Sequence, residues 1–272
     1  MTSLRQLRSD WERLAQADPL WSICTDPQRR DHQWTEAEFF QSGRTEIETV
    51  LAHLASLGLR PDPAAPALDF GCGVGRLTRT LATHFRECWG VDISATMVDL
   101  AKKFNAGSPH CRFLVNTADH LRVFASGYFG FIYTSIVLQH MEGRYAQRYL
   151  REMKRILAPG GLLVFQVLDR RKGVLLGELR NRVGIRRRLR RLLGRRRDLE
   201  QLWELHCIPE STVRRLFAGS QITIADVRLT NSAERSFNGQ LRYLPQEPQE
   251  GFVSKQYCVV KGKTLNAAGV GK

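Results

Sequence analysis

The chain has 272 residues, 43% hydrophobic and 25% charged, which is the composition of a globular protein long enough to bury a core without metal or disulfide staples. Its net charge of +14, from 41 Lys and Arg against 27 Asp and Glu, suggests an acidic partner: nucleic acid, an anionic membrane surface or an acidic substrate. No apolar run approaches the roughly 20 residues that span a bilayer, Asp10 and Glu12 stand where a signal peptide needs apolar residues, and scattered cysteines and histidines without metal-ligand spacing read as reduced and metal-free, so a cytoplasmic protein is expected.

Residues 1–60 read as helical. Ser9-x-x-Glu12 and Thr35-x-x-Glu38 match the capping box, in which a hydroxyl and a carboxylate satisfy the first free backbone N–H groups of a helix. Ile47, Val50, Leu51, Leu54 and Leu57 recur at helical spacing, and Gly58 ends the run. Ser42-Gly43-Arg44 interrupts the pattern. Trp21, Trp34, Phe39 and Phe40 make this stretch aromatic, so it either covers a ligand as a lid or docks helices onto a sheet. A Pro-rich connector at 60–66 separates it from the rest.

From Ala67 onward the pattern alternates. Strands are predicted at 67–70, 88–91, 111–115, 131–138 and 162–168, with helices at 75–84, 94–104 and 142–157 between them. A helix at 209–218 and two late strands, 221–229 and 256–261, complete the chain. Strands alternating with helices imply an α/β fold with a mainly parallel sheet covered on both faces. The divisions expected are a helical lid at 1–60, a core at 61–168, an insertion at 169–205 and the end of the sheet at 206–272.

The most informative stretch is Ala67-Leu-Asp-Phe-Gly-Cys-Gly-Val-Gly-Arg-Leu-Thr78, a buried strand running through three glycines into a helix. Such glycines let a ligand approach the backbone closely. The spacing is G-x-G-x-G, at Gly71, Gly73 and Gly75, with Arg76 where a dinucleotide fingerprint has its last glycine; no Walker Gly-Lys-Ser/Thr follows. Asp92, at the end of the second strand, stands 21 residues after Gly71, near the offset that places an acid on a ribose. The pattern describes a nucleoside-type ligand held close to backbone without a phosphate cradle.

Five blocks in order, ALDFGCGVGRLT, WGVDIS, NTADHL, FIYTSIVLQHM and REMKRILAPGGLLVFQV, resemble those of class I S-adenosylmethionine (SAM)-dependent methyltransferases over residues 67–168. The resemblance implies a Rossmann-like, seven-stranded sheet and SAM as cofactor. It places Gly71, Gly73 and Gly75 under the methionine part and Asp69 beside the loop near the amino group. It gives Asp92 both ribose hydroxyls, packs Ile93 and Met97 on the adenine, and puts Ala118 and Asp119 at the adenine amino group. Met97 is equally readable as a helix core residue and Asp119 as a turn residue. An Arg from an N-terminal element often reaches the cofactor carboxylate in this family, which points to Arg44. The family's usual Asp after the Phe that opens the fourth strand is Gly130 here.

Methyl transfer from a sulfonium needs positioning above all, and a base only when the acceptor is protonated. His140, in Leu-Gln-His-Met at the end of the fourth strand, is the candidate catalytic base, with Gln139 as a polar neighbour; its alternative role is a hydrogen-bonded cap. Residues 170–197 hold 13 Lys and Arg and one acid, Glu178, leaving only +2 for the remainder of the chain. Leu175, Leu176, Leu179, Val183, Ile185, Leu189, Leu192 and Leu193 recur among them at helical spacing. Three uses compete: an anionic membrane surface, giving a peripheral location; nucleic acid, disfavoured by the lack of interleaved aromatics; and a solvated face without a partner. The expected activity is methyl transfer to oxygen of a small-molecule, glycan or lipid-linked acceptor. The alternatives are a nucleic-acid methyltransferase and a non-catalytic SAM-fold protein binding an acidic partner through its arginines.

Overall fold

The computed structural model describes residues 3–173, 204–219, 221–234 and 237–262. Three helices come first: α1 (Leu4–Ala17), α2 (Pro19–Ile23) and α3 (Glu36–Ser56). They are followed by β1 (Ala67–Phe70), α4 (Arg76–His84), β2 (Cys88–Asp92), α5 (Ala95–Phe104), β3 (Cys111–Val115), β4 (Phe129–Thr134), α6 (Gly143–Ile156) and β5 (Leu157–Lys172). After the undescribed stretch come α7 (Glu210–Leu216), β6 (Ile222–Thr230), β7 (Tyr243–Leu244) and β8 (Gly251–Lys261).

The strands form one sheet in the order β3-β2-β1-β4-β5-β8-β6-β7. Neighbours from β3 through β5 pair parallel, and β8 runs antiparallel to both β5 and β6. The order reverses between β1 and β4, and the carboxyl ends of those two strands therefore frame the crevice where open α/β sheets bind ligands. Seven strands match the expectation; the eighth, β7, pairs with only Leu229 and Thr230 and is too short to show a hydrophobic period.

Both faces of the sheet are buried, as parallel strands require. Leu68, Phe70, Ile132 and Phe165 pack with α6 and α7 on one side, while Ala67, Phe131, Tyr133 and Val164 pack with α3 and α4 on the other. Phe129 joins the first group and Phe131 the second because the β4–β5 register shifts between them. Gly130 occupies that shift. A Cβ there would lie 2.4 Å from that of Ala65 in the Pro-rich connector. The departure from the family's Asp is thus a packing feature at the amino end of β4, opposite the crevice.

Several local expectations need correction. Ser9 lies within α1, whose N-cap is Ser3, so Ser9-x-x-Glu12 is not a capping box. Thr35 does cap α3, accepting from the Glu38 amide at 3.3 Å. Ser42-Gly43-Arg44 does not interrupt α3, which runs unbroken for 21 residues. Gly43 serves packing instead: a Cβ there would meet the Arg76 carbonyl oxygen at 2.5 Å, so glycine lets α3 and α4 cross closely. β4 stops at Thr134, four residues short of its expected end, because Ile136 turns to φ 53°. β5 continues through Lys172, pairing Arg170, Arg171 and Lys172 with β8, so residues 169–172 are strand and not the start of an insertion. Arg170 and Lys172 each reach Glu247 at 2.6 Å. The remainder of the expected basic helix lies outside the described residues. No helix among the described residues is long and apolar enough to cross a membrane.

Candidate active site

A cavity of about 540 Å³ opens where the sheet order reverses. Its floor is the glycine loop after β1, the Asp92 end of β2 and the turn after β4. Its cover comes from the N-terminal segment, including Leu4, Leu7, Trp11, Trp21, Ile23 and Arg30. Trp34, Phe39 and Phe40, read as candidates for the cover, instead pack with Trp21, Val74 and Met97 in a separate apolar cluster, the helix-docking alternative.

The loop's shape follows from its glycines. Gly71, Gly73 and Gly75 all have positive φ, and at Gly73 a Cβ would lie 2.4 Å from Ile23 Cδ1. The Gly71 and Cys72 amides donate to the Val91 carbonyl at 2.7 and 3.1 Å, tying the loop to β2. Asp92 completes the tie. Its Oδ2 accepts from the Gly73 amide and its Oδ1 from the Ser94 amide, both at 2.9 Å. Burial raises its carboxyl above the usual aspartate range against the pull of these amides. A carboxylate offers about four acceptor positions, so two of this one's remain for a vicinal diol.

The expected site residues divide into two sets. Gly71, Gly73, Asp92, Ile93, Met97 and His140 line the cavity together. Asp69, Gly75, Ala118, Asp119 and Arg44 are not among the lining residues. Asp69 is buried behind the loop, where its Oδ2 accepts from Thr78 Oγ1 at 2.6 Å; burial pushes its carboxyl up to about 7. Gly75 faces Asn105 and Phe113. Asp119 is held by Arg148 at 2.6 Å, and the Ala118 carbonyl accepts from Tyr149 Oη and from Asn116 Nδ2. Asn116, just after β3, lines the cavity in their place. Arg44 points to solvent from α3 and pairs with Glu48 at 2.8 Å, which removes it as the cofactor's cation.

Two other arginines line the cavity. Arg76 opens α4, lines the cavity and is 2% exposed. Glu46 of α3 neutralises it at 2.6 Å, and Tyr133 Oη donates to the other Glu46 oxygen at 2.7 Å. Arg30 also lines the cavity, with its guanidinium over the Trp21 ring at 5.1 Å. Four buried polar atoms on the lining lack a hydrogen-bond partner among the described residues: Arg76 Nε, Ser135 Oγ, His140 Nδ1 and Ser232 Oγ. Buried polar groups rarely stay unpaired, so these atoms mark where a polar ligand belongs.

The turn after β4 is strained and braced. Ile136 is β-branched at φ 53°, an uncommon conformation for such a side chain. Its amide donates to Gln166 Oε1 at 2.9 Å, and Gln166 Nε2 donates to Gln139 Oε1 at 3.0 Å and to Ser254 Oγ at 2.8 Å. His140 follows, with its ring edge-to-face with Trp11 at a centroid separation of 5.4 Å. Burial lowers the imidazole to about 4, against an opposing backbone contact from Glu204, so it is neutral at pH 7.

The N-terminal cover is joined to the ribose side of the site by one carboxylate. Glu12 of α1 accepts from the Ala95 and Thr96 amides at 2.6 and 3.3 Å, capping α5 from outside its own helix. Partial burial raises its carboxyl, but the Thr96 hydroxyl and the two amides outweigh this and hold it below the usual range. Trp11, Asn116, Arg76, Ser135, Ile136 and Ser232 were not legible as site residues, since each reaches the cavity only through tertiary folding. Elsewhere, His53, Asp226 and Cys258 bring metal-ligating atoms within 4.8 Å on the β6–β8 edge, but Arg228 donates to the same Asp226 oxygen as His53.

The residues present fit SAM: Asp92 could take a diol, Ile93 and Met97 could flank an adenine, and the glycine loop with the Arg76 Nε and Ser135 Oγ atoms could take an amino acid end. Comparison with known proteins agrees. Residues 68–165 match a family described as "Methyltransferase domain". A stretch of 107 residues is 36% identical to trans-aconitate 2-methyltransferase of Deinococcus radiodurans, covering 39% of this chain and 38% of that protein. Another, of 139 residues, is 32% identical to N-demethylindolmycin N-methyltransferase of Streptomyces griseus, covering 48% of this chain and 56% of that protein. The chain thus spans about half or less of the length of these relatives. Among solved structures, magnesium protoporphyrin IX methyltransferase from Synechocystis with bound S-adenosylhomocysteine (SAH) superposes with a TM-score of 0.58 at 17% identity, over 95% of this chain and 99% of that one. The fold, the family match and a cavity built around Asp92 and the glycine loop agree: residues 68–165 carry a methyltransferase domain, set in the fold of SAM-dependent methyltransferases.

Proposed function

We propose that the protein transfers a methyl group from SAM to oxygen of a small-molecule acceptor. The observation that carries this reading is a single cavity with a nucleoside-binding floor at Asp92 and a neutral, buried imidazole at His140. When bound, SAM would supply an electrophilic methyl group on a sulfonium.

The chain's own residues then have three tasks. Asp92, Ile93, Met97 and Asn116 hold the nucleoside, and the glycine loop with Arg76 and Ser135 holds the amino acid end. The N-terminal cover excludes water, which leaves positioning as the main source of rate. His140 accepts the acceptor's proton. At about 4 its imidazolium is acidic and the neutral ring is a weak base. A hydroxyl oxygen that is gaining a methyl group becomes strongly acidic, however, so a weak base in the right place suffices.

The relatives' names span varied acceptors: a trans-aconitate 2-methyltransferase, an N-demethylindolmycin N-methyltransferase and a ubiquinone biosynthesis O-methyltransferase. Glycan and lipid-linked acceptors remain within the proposal, and so does a peripheral membrane location through residues 170–197. The nucleic-acid alternative has no feature of the cavity in its favour.

Calorimetric titration of SAM and SAH into the full chain tests the reading. Micromolar binding is expected, and Asp92→Ala should weaken it at least about a hundredfold, since it removes the diol's partner and the tie on the Gly73 amide at once. Binding unchanged in Asp92→Ala would overturn the cofactor assignment.

A further inference from the structure

We propose, resting on the methyltransferase reading, that the part of the cavity beyond the cofactor's share binds an uncharged aromatic acceptor anchored by the Ser232 hydroxyl. Besides the residues assigned to the cofactor, the cavity lining includes Trp11 of α1, His140, Leu168 of β5, Leu205, and Ser232 and Phe237 after β6. The surfaces are two aromatic rings, an imidazole neutral at pH 7 and two leucines, which suit a flat apolar molecule.

Among the described residues, the charges that line the cavity are already partnered. Arg76 pairs with Glu46, Glu234 with Arg242 at 3.1 Å, and Asp92 holds the Gly73 and Ser94 amides. Arg30 lies over Trp21 and beside Asp31 on the glycine-loop side of the cover. An ionised acceptor would therefore shed its hydration without gaining a counterion of its own, which disfavours it.

Beside His140, whose Nδ1 is also unpartnered among the described residues, Ser232 offers this part of the cavity a polar anchor. It is 5% exposed, lines the cavity, and its Oγ has no hydrogen-bond partner among the described residues. It stands two residues past Thr230, whose hydroxyl bonds Ser254 Oγ at 2.8 Å, and Ser254 in turn bonds Gln166, the brace of the His140 turn. One polar network thus links the strand that leads to Ser232 with the turn that leads to His140. A phenolic O–H satisfies Ser232 while its ring fills the apolar walls.

The full chain saturated with SAH would be titrated with 2-naphthol, 2-naphthoate and naphthalene. 2-Naphthol should bind at least about tenfold more tightly than 2-naphthoate. Ser232→Ala should weaken 2-naphthol by about five- to tenfold, leave naphthalene unchanged and keep SAH affinity within about twofold. Binding of 2-naphthoate as tight as 2-naphthol would overturn the proposal, as would 2-naphthol binding indifferent to Ser232→Ala. If Ser232→Ala fails to fold, the comparison of the three probes on the native chain decides. Absence of SAH binding by the native chain would overturn the methyltransferase reading itself; SAH binding with all three probes excluded would overturn this proposal alone.

Discussion

The two ends of the cavity are built in different ways. The nucleoside end is nearly one continuous piece of chain, from the β1 strand to the first turn of α5, and most of its bonds are backbone to backbone or backbone to Asp92. The end proposed for the acceptor collects Trp11, His140, Leu168, Leu205 and Phe237 from five separated segments, and side-chain bonds through Gln166 and Ser254 brace the turn that leads to His140. A site made of backbone in one short stretch tolerates change elsewhere. A site made of side chains from distant stretches can be re-cut by single substitutions without touching the cofactor.

Breaking the brace should show this difference most strongly. Gln166→Leu leaves the Ile136 amide and Gln139 unpaired, so turnover should fall about tenfold or more while SAH affinity stays within about threefold. Adding Ile136→Gly relaxes the φ 53° turn, and the double variant should lose less than the two single effects combined. Additive losses, or loss of SAH binding in Gln166→Leu, would mean that the two ends are not separable.

Glu12 sits between the ends and should give an intermediate effect. Glu12→Ala removes two charge-assisted bonds to the amino end of α5, costing about 1 kcal/mol of stability by denaturant titration. SAH should dissociate several-fold faster in stopped flow, because α1 loses its hold on the nucleoside side.

Protonation probes each end with opposite sign. His140 titrates at about 4 when folded, below its ordinary 6.5, so its contribution to stability is lost as pH falls between those values. Asp69 titrates at about 7, above its ordinary 3.8, so its contribution is lost as pH rises through that window. Melting temperatures from pH 4 to 7 should therefore diverge. Relative to the native chain, His140→Gln should gain stability toward low pH, and Asp69→Asn should gain toward high pH. The smallest effect belongs to Arg44→Ala: with its side chain in solvent, SAH affinity should stay within about twofold, and a larger loss would return it to the site.

The same contrast explains what could be read from the residues. The glycine loop, Asp92, Ile93 and Met97 were legible because their spacing along the chain is their arrangement in space. His140 was legible because a strand end in this fold points into the crevice. Arg44 was read as a cofactor residue because the family resemblance calls for an N-terminal arginine, whereas α3 runs unbroken past Gly43 and turns Arg44 to solvent, paired with Glu48. Asp119 was read from its place after β3, but Arg148 of α6 holds it and Asn116 lines the cavity instead. Ser9 and Glu12 matched a capping pattern; the carboxylate does cap a helix, but one that begins 83 residues later. Ser232 carries no local signal, since a serine after a strand is ordinary and only its burial without a partner sets it apart.

The N-terminal cover has a consequence for traffic through the site. Ile23 rests against Gly73, Trp11 against His140, and Glu12 on α5, so one segment roofs both chambers. The departure of spent cofactor then depends on the undocking of α1 and α2, and the pace of turnover would be set by how often that roof lifts, whatever the speed of the chemistry beneath it.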